Sequence, residues 1–103
     1  MNELEKREEI ASLFEIYGSF LSKTQKEVLR DYYSFDLSLA EIANNRASSR
    51  AAVEDALKKG EKKLYEFEKA LGMLKNRKRL KALFSKAKAT NDYRELEDYI
   101  NGI

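Results

Sequence analysis

LRDYYSFDLSLAEIANNRASSRAAVEDALK, residues 29–58, is the stretch whose reading decides the fold. Within it Ser38-Leu39-Ala40-Glu41 has the spacing of a capping box. The serine hydroxyl accepts from the amide three residues on, and the glutamate reaches back to the serine amide. That spacing predicts a short helix opening at Ser38, with Leu39, Ile42 and Ala43 turned inward. Asn44 to Ser48 break the pattern, and Ser49 is placed to cap a long helix. Ala43, Ala47 and Ala52 are small enough for two helices to cross closely, and Ile42, Ala43 and Val53 supply the apolar contacts of such a crossing. A short capped helix, a sharp corner and a second serine-capped helix make up the tract of a helix-turn-helix, whose second helix can enter a major groove.

Working toward the N-terminus, Ser22 caps a helix that carries Val28, Leu29, Tyr32 and Tyr33, ending in a break at Ser34 to Leu37. Before it, Asn2 caps a first helix with Glu3 and Glu5 in its opening turn, where the helix dipole favours acids. The stripe Ile10, Leu13, Phe14, Tyr17 and Leu21 gives that helix one buried face, and Gly18 marks a bend. Working toward the C-terminus, Val53, Leu57, Gly60, Leu64, Phe67, Leu71 and Leu74 alternate spacings of four and three. This seam has a period of 3.5 and packs on another helix, either from this chain or from a second subunit. Gly72 is placed as a left-handed cap that folds Met73 and Leu74 back. A fifth helix over Asn76–Ala89 carries Leu80, Leu83, Phe84 and Ala87 as its apolar side. A sixth, from about Asn91 to Ile100, turns Tyr93, Leu96, Tyr99 and Ile100 inward. The expected architecture is all-α: one helical domain over residues 1–103, with a helix-turn-helix core at about 22–72 and a basic helical extension at about 75–103.

Composition narrows the function. The 103 residues include no Pro, no Cys and no His. A chain without Cys or His has neither thiolate nor imidazole for a metal site, and no side chain that titrates near neutrality for base catalysis. No glycine-rich phosphate loop is present, so the expectation is a non-enzymatic protein without cofactor or metal. The opening MNELEKREEI is charged where a secretory signal would be apolar, and no apolar run reaches the roughly 18 residues that span a bilayer. The expected location is cytoplasmic, without membrane insertion. The net charge of +2 conceals an asymmetry. Residues 58–88 hold twelve Lys or Arg against three Glu, while the rest of the chain holds eight basic and fifteen acidic residues. One strongly basic segment in a nearly neutral chain points to a localised anionic partner.

The segment DLSLAEIANNRASSRAAV, residues 36–53, is similar to the helix-turn-helix of bacterial sigma factor region 4. From Leu13-Phe14 through YYSFDLSLAEIA and SRAAV to EKKLYEFEKALGM, ending at Met73, the chain resembles the YlxM family (UPF0122) of small bacterial proteins. The resemblance implies a sigma-region-4-like helical fold and an accessory or regulatory role in the signal recognition particle pathway, with that particle's RNA or protein as partner. The chain departs from the family pattern at the corner. Arg46 stands where an aromatic is usual, Ala47 where Gly or Asn is usual, and Ser48 where Val is usual. Arg46 and Ser48 are expected to leave the small apolar gap between the helices incompletely filled. Glu54 and Asp55 lie one turn into the reading helix and oppose phosphate attraction.

The candidate nucleic-acid contacts are therefore Lys75, Arg77, Lys78, Arg79 and Lys81 on the basic tract, with Arg46, Ser49, Arg50 and Lys58 around the corner as a second set. The basic tract fits a phosphate-tracking surface for structured RNA, which is recognised largely by shape and backbone charge. Its alternative role is a solubilising face that pairs with Asp92, Glu95, Glu97 and Asp98. Two further readings stand beside RNA binding: a homodimeric DNA regulator that reads a site with Ser49, Arg50, Ala51 and Glu54, and an adaptor whose seam binds another protein. For the adaptor, Leu64→Asp is expected to remove the partner and leave the fold intact. The tyrosines and phenylalanines mostly fall on apolar stripes and read as core, with Tyr65 and Phe67 the one pair for which base stacking stays open beside that reading.

Overall fold

Polar caps determine where the helices begin. The Asn2 side chain accepts from the Glu5 amide and opens α1, Glu3–Tyr17. Ser22 and Gln25 form a reciprocal capping box at the start of α2, Lys23–Leu29, and Ser38 with Glu41 forms another at α3, Leu39–Asn45. Three further helices follow: α4 (Arg50–Leu71), α5 (Met73–Thr90) and α6 (Arg94–Asn101). These elements come from a computed structural model that describes residues 1–102, and the described residues contain no strand. No helix among them is long and apolar enough to cross a membrane. The chain divides into two compact units, residues 1–71 and the segment from Gly72 onward. The boundary falls at the residue whose φ of +62° ends α4 in the left-handed turn expected of a glycine.

In the first unit, α1, α2 and α3 pack around α4. Ile10, Leu13 and Tyr17 from α1, Val28 and Leu29 from α2, Ile42 from α3, and Val53, Leu57 and Leu64 from α4 are all buried. Each such aliphatic side chain contributes on the order of 1.5–3 kcal/mol by leaving water. At Gly60 the side chain of Leu29 packs directly on α4, where a β-carbon would sit 2.6 Å from Leu29 Cδ1. The 3.5-period seam is thus filled from within the chain as far as Leu64. Beyond it Phe67 is half-buried between the rings of Tyr17 and Phe20, and Leu71 is exposed.

Residues 30–33, expected to continue α2, instead join Ser34 in a π-helical turn, Arg30–Ser34. The Phe35 amide there reaches back five residues to the Arg30 carbonyl (3.1 Å). Widening a helix leaves carbonyls without their usual partners. Arg7 of α1 supplies one, donating to the Tyr32 carbonyl (2.9 Å) and to Asp36 (3.0 Å). Its guanidinium also lies 4.9 and 5.1 Å from the ring centres of Tyr32 and Tyr33.

In the second unit α5 and α6 form a hairpin that turns at Asn91, also left-handed (φ +55°). Leu83, Ala87 and Leu96 are buried, with Tyr99 packed on them. Leu80, Phe84, Tyr93 and Ile100, expected to face inward, are instead exposed. Two paired helices cover one stripe of each other, so within the hairpin part of each apolar face stays outside.

Candidate nucleic-acid interface

The corner between α3 and α4 is built by backbone hydrogen bonds. The Ser48 amide donates to the Ala43 carbonyl (2.9 Å) and the Ala47 amide to the Asn44 carbonyl (3.2 Å). These six-to-one and five-to-two bonds are those of a Schellman motif, which requires one left-handed residue. Ala47 adopts that conformation at φ +51° despite its β-carbon. The corner therefore keeps the usual geometry of a helix C-terminus, with alanine in the position glycine normally fills. Immediately after it, the Ala52 amide donates to Ser49 Oγ (3.0 Å) and the Val53 amide to the Ser49 carbonyl (3.1 Å). Ser49 is thus the N-cap of α4, as its position implied.

Arg46 turns out to be half-buried. Its guanidinium donates to Glu27 Oε2 at 2.6 Å, joining the corner to α2. That hydrogen bond, reinforced by the charge of Arg46, holds the Glu27 carboxyl below its ordinary value. The Glu41 carboxyl is likewise lowered, by the backbone and side-chain hydrogen bonds of its capping box with Ser38. Between α2, the corner and α4 lies a cleft of about 140 Å³ bordered by Thr24, Val28, Arg46, Ser48 and Val53. This is the gap that an arginine and a serine fill incompletely.

On the open face of α4, Arg50 and Ala51 are exposed at the first turn. One turn on, Glu54 pairs with Lys58 (3.1 Å) and Asp55 with Lys59 (2.9 Å). Of the corner residues singled out in the sequence, Ser49 and Arg50 sit together at the start of α4. Arg46 is tied to α2, and Lys58 lies two turns along with its charge met by Glu54. The positive field over the reading helix is correspondingly weak, since phosphate attraction depends on cations not already neutralised.

The second set lies on α5. This helix carries Lys75, Arg77, Lys78, Arg79, Lys81, Lys86 and Lys88 and no acidic residue. Lys75, Lys78, Arg79 and Lys81 are exposed and Arg77 is half-buried. Arg79 lies 5.5 Å from the centre of the Tyr99 ring, which braces it by a cation–π contact. Lys86 pairs with Glu95 of α6 at 2.9 Å, and that bond raises the lysine's proton affinity.

Sequence reading assigned the tyrosines to the core and passed over their hydroxyls. Tyr17 donates to Glu68 (2.8 Å), Tyr33 to Glu61 (2.6 Å) and Tyr65 to Glu9 (3.0 Å). The Tyr65 phenol is pushed up to about 12 by burial and by the Glu9 carboxylate, and Tyr33 is raised by burial and by Glu61. Tyr65 is therefore held against α1 and is not presented as a stacking platform. The available signal was the spacing of Glu61, Tyr65 and Glu68, which puts a polar stripe beside the apolar seam at helical period.

The comparisons with known proteins agree with this architecture. A family model described as "Putative helix-turn-helix protein, YlxM / p13 like" matches residues 4–102. A UPF0122 protein of Fusobacterium nucleatum is 47% identical over 73 residues, 71% of each chain. One from Symbiobacterium thermophilum is 43% identical over 75 residues, covering 72% of this chain and 70% of the relative. A third, from Malacoplasma penetrans, is 37% identical over 83 residues, covering 81% and 78%.

Proposed function

Because the chain belongs to the UPF0122 family of YlxM/p13-like helix-turn-helix proteins, we propose that it is a non-enzymatic accessory factor of the signal recognition particle pathway that binds structured RNA through α5. One observation carries the reading. Over 18 residues α5 carries seven Lys or Arg and no acid, and Lys78 and Lys81 on it are exposed, while Arg46, Lys58 and Lys59 around the corner pair with Glu27, Glu54 and Asp55. A helix of that length spans roughly 27 Å, enough to follow several phosphates along a folded RNA. The particle's RNA is the candidate partner that the family resemblance implies, in a cytoplasmic setting. Lys75, Arg77, Lys78, Arg79 and Lys81 would contact phosphates, with Arg50 secondary.

The test is a titration with that RNA across a range of salt. Affinity is expected to fall steeply with log salt, and Lys78→Ala with Arg79→Ala to shallow the slope by roughly two or slightly less. Absent or salt-independent binding overturns the reading. The Schellman corner favours a second reading, in which α4 docks in duplex DNA with Ser49 and Arg50 at its leading end. Under that reading Arg50→Ala weakens duplex binding while the α5 double variant leaves it unchanged.

A further inference from the structure

We propose that the α5–α6 hairpin is a homodimerisation surface, each copy laying the basic flank of its groove on the acidic flank of the other. The inference does not rest on RNA binding, although it gives Lys81, one of the five phosphate candidates, a second partner, and it is carried by three features of the second unit. First, α5 and α6 leave an apolar groove of about 540 Å³ between them, lined by Leu80, Lys81, Phe84, Ser85, Leu96 and Ile100. Phe84 is 56% and Ile100 51% exposed, and the two share this one groove with Leu80. Second, within the hairpin the cluster of Leu83, Ala87, Leu96 and Tyr99 leaves Phe84 and Ile100 outside it.

Third, the two arms carry opposite charge. The α5 arm is uniformly basic, and Lys81 lines the groove. The other arm carries Asp92, Glu95, Glu97 and Asp98 against Arg94, whose guanidinium is held by Asp92 at 2.9 Å. Glu97 lies on α6 between Leu96 and Ile100, the residues that form the wall of the groove across from Lys81 of α5. Lys86–Glu95 joins the arms within one copy, while Lys81 and Glu97 are exposed. A surface with one basic and one acidic flank is self-complementary under a two-fold rotation, which places Lys81 of each copy against Glu97 of the other. A foreign acidic helix would match the α5 flank and be repelled by the α6 flank, so a second copy is the better occupant.

Sedimentation equilibrium of nuclease-treated protein over a wide concentration range tests this. The weight-average mass is expected to rise from the 12.0 kDa of one chain toward twice that value. Phe84→Glu, at a position already exposed, should keep the chain monomeric with its helical circular dichroism unchanged. Lys81→Glu and Glu97→Lys should each weaken association at low salt, because each homodimer then opposes like charges twice. An equimolar mixture of these two variants should recover it, since the mixed pair restores both attractions. A chain that stays monomeric at all concentrations overturns the proposal, whether the groove then takes a foreign helix or another part of the same chain. So does a dimer indifferent to Phe84→Glu, or a mixture that fails to associate. None of these outcomes depends on nucleic acid, so the dimer and the RNA reading can fail separately.

Discussion

Replacing Ala47 by glycine should stabilise this protein, although glycine is generally a poor residue in a helical chain. Ala47 sits at φ +51° as the left-handed residue of the α3–α4 corner, fixed by the Ser48–Ala43 and Ala47–Asn44 backbone bonds. An L-residue with a β-carbon costs roughly 1–2 kcal/mol in that region relative to right-handed helix, a cost glycine escapes. Against this, glycine widens the unfolded ensemble and returns about 0.4–1 kcal/mol. The net expectation for Ala47→Gly is a gain of about 0.5–1 kcal/mol. For a domain of this size that corresponds to a rise in Tm of roughly 2–8 °C. Urea unfolding followed by circular dichroism at 222 nm measures it, with Ala56→Gly inside α4 as the control expected to lose about 1 kcal/mol. Ala47→Val, branched where the corner tolerates least, should lose more than the glycine gains. If Ala47→Gly and Ala56→Gly are destabilising to the same degree, the left-handed corner is not what holds α3 to α4 and the argument fails.

Three further outcomes follow from the packing. Leu64 is fully buried against the other helices of its unit, so Leu64→Ala should cost about 2–5 kcal/mol in chemical denaturation. For the same reason Leu64→Asp is expected to abolish folding, and it cannot serve as the clean test of a docking seam that the sequence suggested. On the acid side, the depressed Glu27 and Glu41 carboxyls contribute stability in full above their ordinary value near 4.5 and lose it as pH falls through their lower folded values. Glu27→Gln should accordingly flatten the decline in stability below pH 4.5, as read from urea midpoints. On the alkaline side, a phenol held neutral contributes fully below its ordinary value near 10, and that contribution fades as pH rises through about 12 for Tyr65. Ultraviolet titration should show Tyr65 ionising above the ordinary tyrosine range, with Tyr33 later still or only on unfolding, and Tyr65→Phe should remove the step near 12.

Local signals proved the most legible. Ser22, Ser38, Ser49 and Gly72 begin or end helices where their spacing placed them, because a cap depends on residues within three or four positions. The seam from Val53 to Leu64 was legible as apolar period, but not the identity of its cover, which is a tertiary fact. The π-helical turn at 30–34 had no signature in the sequence, since its carbonyl is satisfied by Arg7, 25 residues away. The outer halves of α5 and α6 were misassigned because period identifies an apolar face but not how many neighbours exist to cover it. At the interface, the charge of α5 was visible directly. The Glu54–Lys58 and Asp55–Lys59 pairs follow from four-residue spacing. Arg46 meets Glu27 across 19 residues, which only the crossing of α2 with the corner could reveal.

The three phenol–carboxylate bonds have a consequence for how α4 finds its place. A leucine seam that repeats every seven residues nearly superposes on itself when slid by two turns, so apolar contact alone is a poor ruler. Glu61, Tyr65 and Glu68 meet partners at Tyr33, Glu9 and Tyr17, and these unequal intervals coincide at one offset only. They act as the notches of a key: removing one should show less as a lowered melting point than as doubled amide resonances from chains seated a step apart.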